Sequence, residues 1–111
     1  MNAFNPTPEN LFKIRLNLIS NNEYNILLDT IKEIFTPTAR IRSNLNSYGL
    51  KYTLELHLKS KGITTYFSID ELFLGLYDTF PSLKYKRESM LQVNPNYLFN
   101  VAVKCGFKVF K

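Results

Sequence analysis

The stretch 49-GLKYTLELHLKSKG-62 decides the fold, because it satisfies two incompatible patterns. Over residues 52–59, apolar and polar residues alternate, which is the spacing of a half-buried strand. Leu50, Leu54 and Leu58 instead recur every fourth residue, which is the spacing of one helix face. A strand here would make the domain rich in β-structure, whereas a helix would make it mainly α.

The charges of this stretch favour the helix. Glu55 lies four positions after Lys51 and four before Lys59, and such pairs approach each other only on a helix. Most of the residues here are also good helix formers. We therefore predict a helix over residues 47–60, with the three leucines inward and the three charged residues outward. Gly62 can take the left-handed conformation beyond its end.

Two other segments combine a Ser-x-x-Glu capping box with apolar residues at spacings of three and four. The first box begins at Ser20 and its helix stops before Pro37, and the second begins at Ser68 and its helix stops at Pro81. The predicted helices span 20–35 and 68–80. The second would carry three acidic residues on its outward side, Asp70, Glu71 and Asp78.

A fourth helix is predicted over residues 94–105, with Asn94 as its cap and Pro95 in its first position. Lys104 would then interact favourably with the dipole of this helix. Cys105 falls on its apolar stripe, so we expect a buried, structural thiol.

The N-terminal segment has two interpretations. The alternation in 12-FKIRLNL-18 favours a short strand, which could pair with residues 107–110 as a two-stranded ribbon. A competing helix could begin after Thr7, with Pro8 in the first helical position. The expected architecture is a single, mainly α domain over residues 1–111, with four helices and at most this ribbon.

The formal charge of the chain is +5, and the whole excess lies in residues 81–111, where Glu88 is the only acid. A local excess of positive charge attracts phosphates or an acidic protein surface. A basic segment with one aromatic residue, 81-PSLKYKRESM-90, can contact phosphates and stack on a base. The candidate binding residues are Lys84, Tyr85, Lys86, Arg87, Lys104 and Lys108. A secondary basic patch, Arg40 and Arg42, lies in the predicted loop 36–46.

The residue inventory argues against an enzyme. His57 is the only histidine and Cys105 the only cysteine, so a metal site would lack its usual ligands. No phosphate-binding glycine loop or nucleophile motif occurs, and no cofactor is expected. We expect His57 to be a helix residue at the solvent edge. The segment MNAFNPTPEN lacks signal-peptide features and no apolar run could span a bilayer, so we expect a cytoplasmic protein without membrane contact.

Two stretches resemble small proteins of phages and other mobile elements. The stretch 47-SYGLKYTLE-55 resembles their S-Y-G-L-K-H-x-x-E segment, with Tyr52 where the family has His. The stretch 93-VNPNYLFNVAVKCGF-107 resembles a second segment, Y-V-S-N-G-x-F-I-x-A-A-x-x-x-G-F, of which it keeps Val93, Ala102, Gly106 and Phe107. The resemblance implies a helical 47–60 and a mobile-element origin, and it carries no catalytic residues.

Proteins of such elements often regulate transcription or disable host nuclease defences. We therefore expect a non-enzymatic binding protein that targets a protein or nucleoprotein of nucleic-acid-handling machinery, such as an anti-CRISPR-type inhibitor. The alternative is a regulatory protein that binds DNA or RNA directly through the basic C-terminal third. The two hypotheses differ in whether free nucleic acid is bound with a steep salt dependence.

Overall fold

The computed structural model describes residues 5–88 and 96–109, which form four helices and two short antiparallel sheets. The helices are α1 (Pro8–Ser20), α2 (Tyr24–Ile34), α3 (Ser47–Ser60) and α4 (Ile69–Thr79). The strands are β1 (Phe35–Pro37), β2 (Tyr85–Arg87), β3 (Tyr97–Phe99) and β4 (Val101–Val103). The expected mainly α class is confirmed, but the strands make two sheets rather than one ribbon.

Helix α3 has the predicted bounds and ends. The side chain of Asn46 caps its start by accepting a hydrogen bond from the backbone of Gly49 (3.0 Å). Gly62 takes the left-handed conformation after its end, with φ of 77°. The three inward leucines are fully buried, as predicted: Leu50, Leu54 and Leu58.

The prediction that Lys51 points outward is wrong. Its side chain is only 5% exposed, and its ammonium group lies 2.9 Å from a carboxylate oxygen of Glu55. The same group lies 4.4 Å from the ring centre of Tyr52 and 4.3 Å from that of Tyr66. A carboxylate and two aromatic faces together compensate a cation for its lost water, so the charge can be buried.

The strand predicted at 12–18 is wrong, and the competing helix is confirmed. Thr7 caps α1 by accepting a hydrogen bond from the backbone of Asn10 (3.2 Å), and Pro8 occupies the first turn. The alternation arises because α1 is apolar on two sides. Its core side buries Leu11 and Leu18, whereas a second stripe is about half exposed: Phe12, Leu16 and Ile19. Residues 107–109 form no strand, so the predicted ribbon is absent from the described residues.

Helix α2 exists, but it begins four residues later than predicted. Ser20 belongs to the end of α1, and its hydroxyl donates to the carbonyl of Leu16 (2.9 Å). Asn22 has a left-handed φ of 58°, which turns the chain between the two helices. The Ser-x-x-Glu pattern at Ser20 therefore spans an interhelical turn and is not a capping box. The predicted loop 36–46 begins with strand β1.

Helix α4 has the predicted capping box and packs centrally against α2. The Ser68 hydroxyl accepts from the Glu71 backbone, and the Glu71 carboxylate accepts from the Ser68 backbone. A Cβ atom at Gly75 would lie 2.5 Å from the side chain of Ile31, so the glycine allows the close approach of the helices. Of the three acids predicted on its outward side, Asp78 is instead held by Arg15 of α1.

The helix predicted over residues 94–105 is wrong. Residues 94 and 95 lie outside the described residues, and the segment after them forms β3 and β4. Strand β2 pairs with β3, and β1 pairs with β4, both antiparallel. Aromatic and β-branched residues prefer strands, and the described part of this segment is rich in them: Tyr97, Phe99, Val101 and Val103. Cys105 is exposed rather than buried, because it follows the last strand in a turn.

Candidate partner-binding surface

The hairpin of β2 and β3 fixes the direction of the basic side chains in residues 84–87. Asn100 donates its N–H to the carbonyl of Lys84 (3.2 Å), and Glu88 donates to the carbonyl of Asn96 (2.8 Å). Successive side chains of a strand point to opposite faces. Lys84 and Lys86 therefore share one face of the hairpin, and residues 85 and 87 share the other.

The face of the hairpin that carries Tyr85 and Arg87 contacts α4 through the Tyr85 ring. The Tyr85 ring packs edge-on against Phe73, with 4.8 Å between ring centres, and it remains 39% exposed. Burial raises the pKa of the neighbouring Tyr97 phenol, and the positive charge of Arg87 acts in the opposite direction. Arg87 is exposed like the two lysines, but the strand directs it away from them.

The other face of the hairpin meets the loop that carries the secondary patch. The Lys84 ammonium donates to the carbonyl of Ala39 (3.2 Å), and the Arg42 backbone donates to the carbonyl of Phe99 (3.0 Å). These contacts bring the backbone around Arg40 and Arg42 against the hairpin, next to Lys84. We call these four exposed cations the basic strip: Arg40, Arg42, Lys84 and Lys86. None of the four forms an ion pair with another described residue.

Lys104 and Lys108 lie apart from the basic strip. The Lys104 backbone donates to the carbonyl of Ile34, beyond the opposite end of the β1–β4 ladder. Its ammonium donates to the carbonyl of Lys32 (2.6 Å) in the last turn of α2. Lys104 thus complements a helix dipole, but it is the dipole of α2. Lys108 lines a depression of about 470 Å³.

His57 lines the same depression and forms a hydrogen bond with a neighbouring carboxylate. Its Nε2 atom contacts the carboxylate of Glu33, which also pairs with Lys61 (2.6 Å). The hydrogen bonds from Lys61 and His57 lower the pKa of the Glu33 carboxyl. The His57 side chain lies on α3 and is 16% exposed, which agrees with the expected helix residue at the solvent edge.

The described residues offer no metal site and no membrane span. Residues 5–88 and 96–109 contain no group of three His, Cys, Asp or Glu side chains that could hold a metal ion. No helix within these ranges has the length and apolar character needed to cross a bilayer.

No family model, curated protein or solved structure matches this chain. Helix α3 and strand β3 contact each other in the fold. The hydroxyl of Ser47 in α3 accepts a hydrogen bond from the backbone of Tyr97 in β3 (3.0 Å).

Two buried polar side chains that were not predicted as site residues support the hairpin and the loop beside it. Asn100 is 2% exposed and bonds three backbone groups in two segments of the chain. Its side-chain oxygen accepts from Lys84, and its amide group donates to the carbonyls of Thr38 and Ser82. Ser47 is 1% exposed and also bonds the Asn96 side chain (3.3 Å). The sequence contains one indication of the role of Asn100, because it is the single polar residue within the apolar run 97-YLFNVAV-103.

Proposed function

We propose that this protein is a non-enzymatic binding protein of the phage or mobile-element kind. It docks through the basic strip on a negatively charged surface of nucleic-acid-handling machinery, and an inhibitor of a CRISPR effector is one example. The observation that carries this proposal is the contact between the Lys84 ammonium and the Ala39 carbonyl. This contact supports one basic surface where the sequence indicated two.

The framework under the strip favours binding. Asn100 ties residues 38, 82 and 84 together by hydrogen bonds from one buried side chain. A preorganised surface loses less conformational entropy on association than a free loop does. Exposed cations without carboxylate partners also steer a negatively charged partner and speed its association at low salt.

A direct complex with DNA or RNA is the second candidate, because phosphates complement the same four cations. Such binding has a strong salt dependence. The logarithm of the association constant falls by roughly 0.9 per neutralised duplex phosphate for each unit of log salt, so four contacts give a slope of about −3.6. A protein partner could instead be bound while free nucleic acid is ignored.

The experiment compares two variants with equal changes in charge. Arg40→Glu/Lys86→Glu reverses two members of the strip whose side chains make no hydrogen bond to a described residue. Lys13→Glu/Lys32→Glu is the control, since both lysines are exposed on α1 and α2. Tagged wild type and both variants are used to capture partners from nuclease-treated lysate of a bacterial host, and captured proteins are quantified by mass spectrometry. Circular dichroism verifies that each variant is folded.

The proposal expects capture of a nucleic-acid enzyme or its complex by the wild type and the control, and its loss with the strip variant. Equal capture by all three proteins would contradict a role for the strip. Titration of labelled duplex DNA and RNA between about 50 and 200 mM salt distinguishes the second candidate. A steep slope that the strip variant lowers, with no protein captured, would favour direct nucleic-acid binding.

A further inference from the structure

The outer edges of three strands differ in what covers them. On β3, the Tyr97 N–H donates to the Ser47 hydroxyl, and the Phe99 carbonyl accepts from the Arg42 backbone. On β1, Pro37 lacks an N–H at the outer edge, and such a proline prevents further pairing. The outer edges of β3 and β1 are therefore closed to another strand.

The outer edge of β2 is open among the described residues. Lys84 and Glu88 bond to β3 through their backbones, so the hydrogen-bonded positions of β2 are 84, 86 and 88. Tyr85 and Arg87 consequently direct their N–H and C=O groups away from β3. These groups have no hydrogen-bond partner within residues 5–88 and 96–109, and all three residues of β2 are exposed.

We propose that this edge of β2 accepts an extended acidic segment of a partner protein as an additional strand. The inference rests on the proposed function, because it specifies how the partner is bound beside the basic strip. Backbone groups of Tyr85 and Arg87 would supply the hydrogen bonds, as in other cases of strand addition.

The charges on the edge select the occupant. Lys84, Lys86 and Arg87 all lie on or beside this strand, so a second copy of β2 would place like charges opposite each other. Like charges directly opposite on paired strands are destabilising, whereas opposite charges stabilise the pair. The same lysines that discourage self-association therefore favour an acidic strand.

The alternation of β2 also specifies the pattern of the segment. Side chains of the added strand on the Lys84 and Lys86 face would be Asp or Glu. Those on the opposite face would lie beside the half-exposed ring of Tyr85, where an apolar or β-branched residue fits. The expected partner sequence thus alternates acidic and apolar residues over a short extended segment.

The probe is a fluorescent synthetic peptide of alternating Glu and Val residues, with binding followed by anisotropy. Two N-methylated forms carry methyl groups on the odd or the even amides. A shift of the peptide by one residue would move its acids to the wrong face, so only one set of amides can face β2. We expect one methylated form to bind like the parent and the other to lose binding. Equal binding of both forms would overturn the proposal, since charge alone would then explain it.

Two substitutions test the protein side of the same contact. Arg87→Gln and Arg87→Pro remove the same charge, but the proline also removes the outward N–H, which an edge strand tolerates. We expect Arg87→Pro to bind the parent peptide about tenfold more weakly than Arg87→Gln, the effect of one lost hydrogen bond. Amide exchange of Tyr85 and Arg87 in wild type, read by NMR, should slow when the peptide is added. Unchanged exchange in the saturated complex would overturn the proposal even if the proline variant fails to fold.

The two proposals fail in different ways. If no acidic peptide binds while the lysate partner is still captured through the strip, strand addition is wrong and the proposed function stands. If peptide binding is abolished by duplex DNA and is insensitive to N-methylation, the strip is a phosphate surface and strand addition is again wrong. If neither peptide nor partner is bound, both proposals fail.

Discussion

Arg15 of α1 and Asp78 of α4 form a bidentate ion pair between residues 63 positions apart in the sequence. The Nε atom of Arg15 lies 2.7 Å from Oδ2 of Asp78, and its Nη2 atom lies 2.8 Å from Oδ1. The Tyr24 hydroxyl of α2 donates to the same carboxylate (2.8 Å). One carboxylate thus connects three helices on a partly buried surface.

The first prediction concerns the pH dependence of this pair. Burial alone would raise the pKa of Asp78, but the hydrogen bonds from Arg15 and Tyr24 outweigh it and hold the pKa below its ordinary value of 3.8. Since the unfolded state binds more protons between these two values, stability from this group is present above pH 3.8 and is lost as pH falls through the folded pKa. Asp78→Asn should lower the free energy of unfolding near pH 7 by about 1–3 kcal/mol.

The difference between wild type and Asp78→Asn should shrink as the pH is lowered below 4, because the wild type loses the same stabilisation. Urea unfolding between about pH 2 and pH 7 measures it. Asp29→Asn, at an exposed position of α2, is the control and should track the wild type. A gap that stays constant down to pH 2 would contradict this account.

Ser47→Ala should destabilise the protein by about 1–3 kcal/mol, because it removes the buried hydroxyl that accepts a hydrogen bond from the Tyr97 N–H. The exposed Ser82 offers a matched change, and Ser82→Ala should stay within about 0.5 kcal/mol of wild type. Denaturant unfolding of both variants tests the difference. Similar stabilities for the two would mean that another group accepts this hydrogen bond.

Lys51→Ala should cost about 2–4 kcal/mol, since it removes a buried stem, the ion pair with Glu55 and two contacts with tyrosine rings. Lys59→Ala on the same helix should change stability by no more than about 0.5 kcal/mol, because that side chain is exposed. Thermal unfolding of the two variants side by side gives the comparison. If the two substitutions had equal effects on stability, the Lys51 side chain would be exposed, as expected from the sequence.

Gly75→Ala should destabilise the protein by about 1–3 kcal/mol, although alanine is the better helix former. The added methyl group would lie 2.5 Å from the side chain of Ile31 and 2.8 Å from that of Leu27, so these tightly packed side chains of α2 would have to shift. Pairing it with Ile31→Val in a double-mutant cycle tests the mechanism. We expect the smaller side chain to recover part of the loss, and a stabilising Gly75→Ala alone would show that the helices separate easily.

The Cys105 thiol should react with an aromatic disulfide reagent in the folded protein almost as fast as in denaturant, because it is exposed. Absorbance of the released thiolate gives both rates. If the thiol reacted at least about a hundredfold more slowly in the folded protein than in denaturant, it would be buried, as expected from the sequence.

The sequence predicted the elements whose local signals agree with one another. At α4 the capping box and the apolar spacing both indicated a helix, and at α3 the charge pairs decided between two apolar patterns. The bounds of both helices matched within about two residues. The strand prediction for residues 12–18 failed because Phe12 and Leu16 are apolar residues on the outer side of α1. Together with the core residues they give the alternating pattern of a strand. Periodicity alone could not show which apolar side chains reach the core.

The β3–β4 segment could not be predicted because its partners lie far away in the sequence. The Ser47 hydroxyl accepts from the backbone of Tyr97, and the Asn100 side chain bonds the backbones of Thr38 and Lys84. None of these contacts is local. The same applies to the candidate surface. The sequence grouped Lys84, Lys86 and Arg87 by proximity along the chain, whereas strand alternation separated Arg87 and the fold added Arg40 and Arg42.

The bond from Asn100 to the carbonyl of Thr38 closes a separation of 62 positions, and it has a consequence for the order of folding. Loop closure over long separations is slow, so the locally determined helices can form and collapse first. Strand β1 can pair only when residues 101–103 are present. Until then Phe35 and Phe73 lack their contacts with the C-terminal strands. During synthesis, the ribosome must release the last strands before the core can close. We therefore expect the chain to be most exposed to proteases and to aggregation before residues 96–103 have joined the helices.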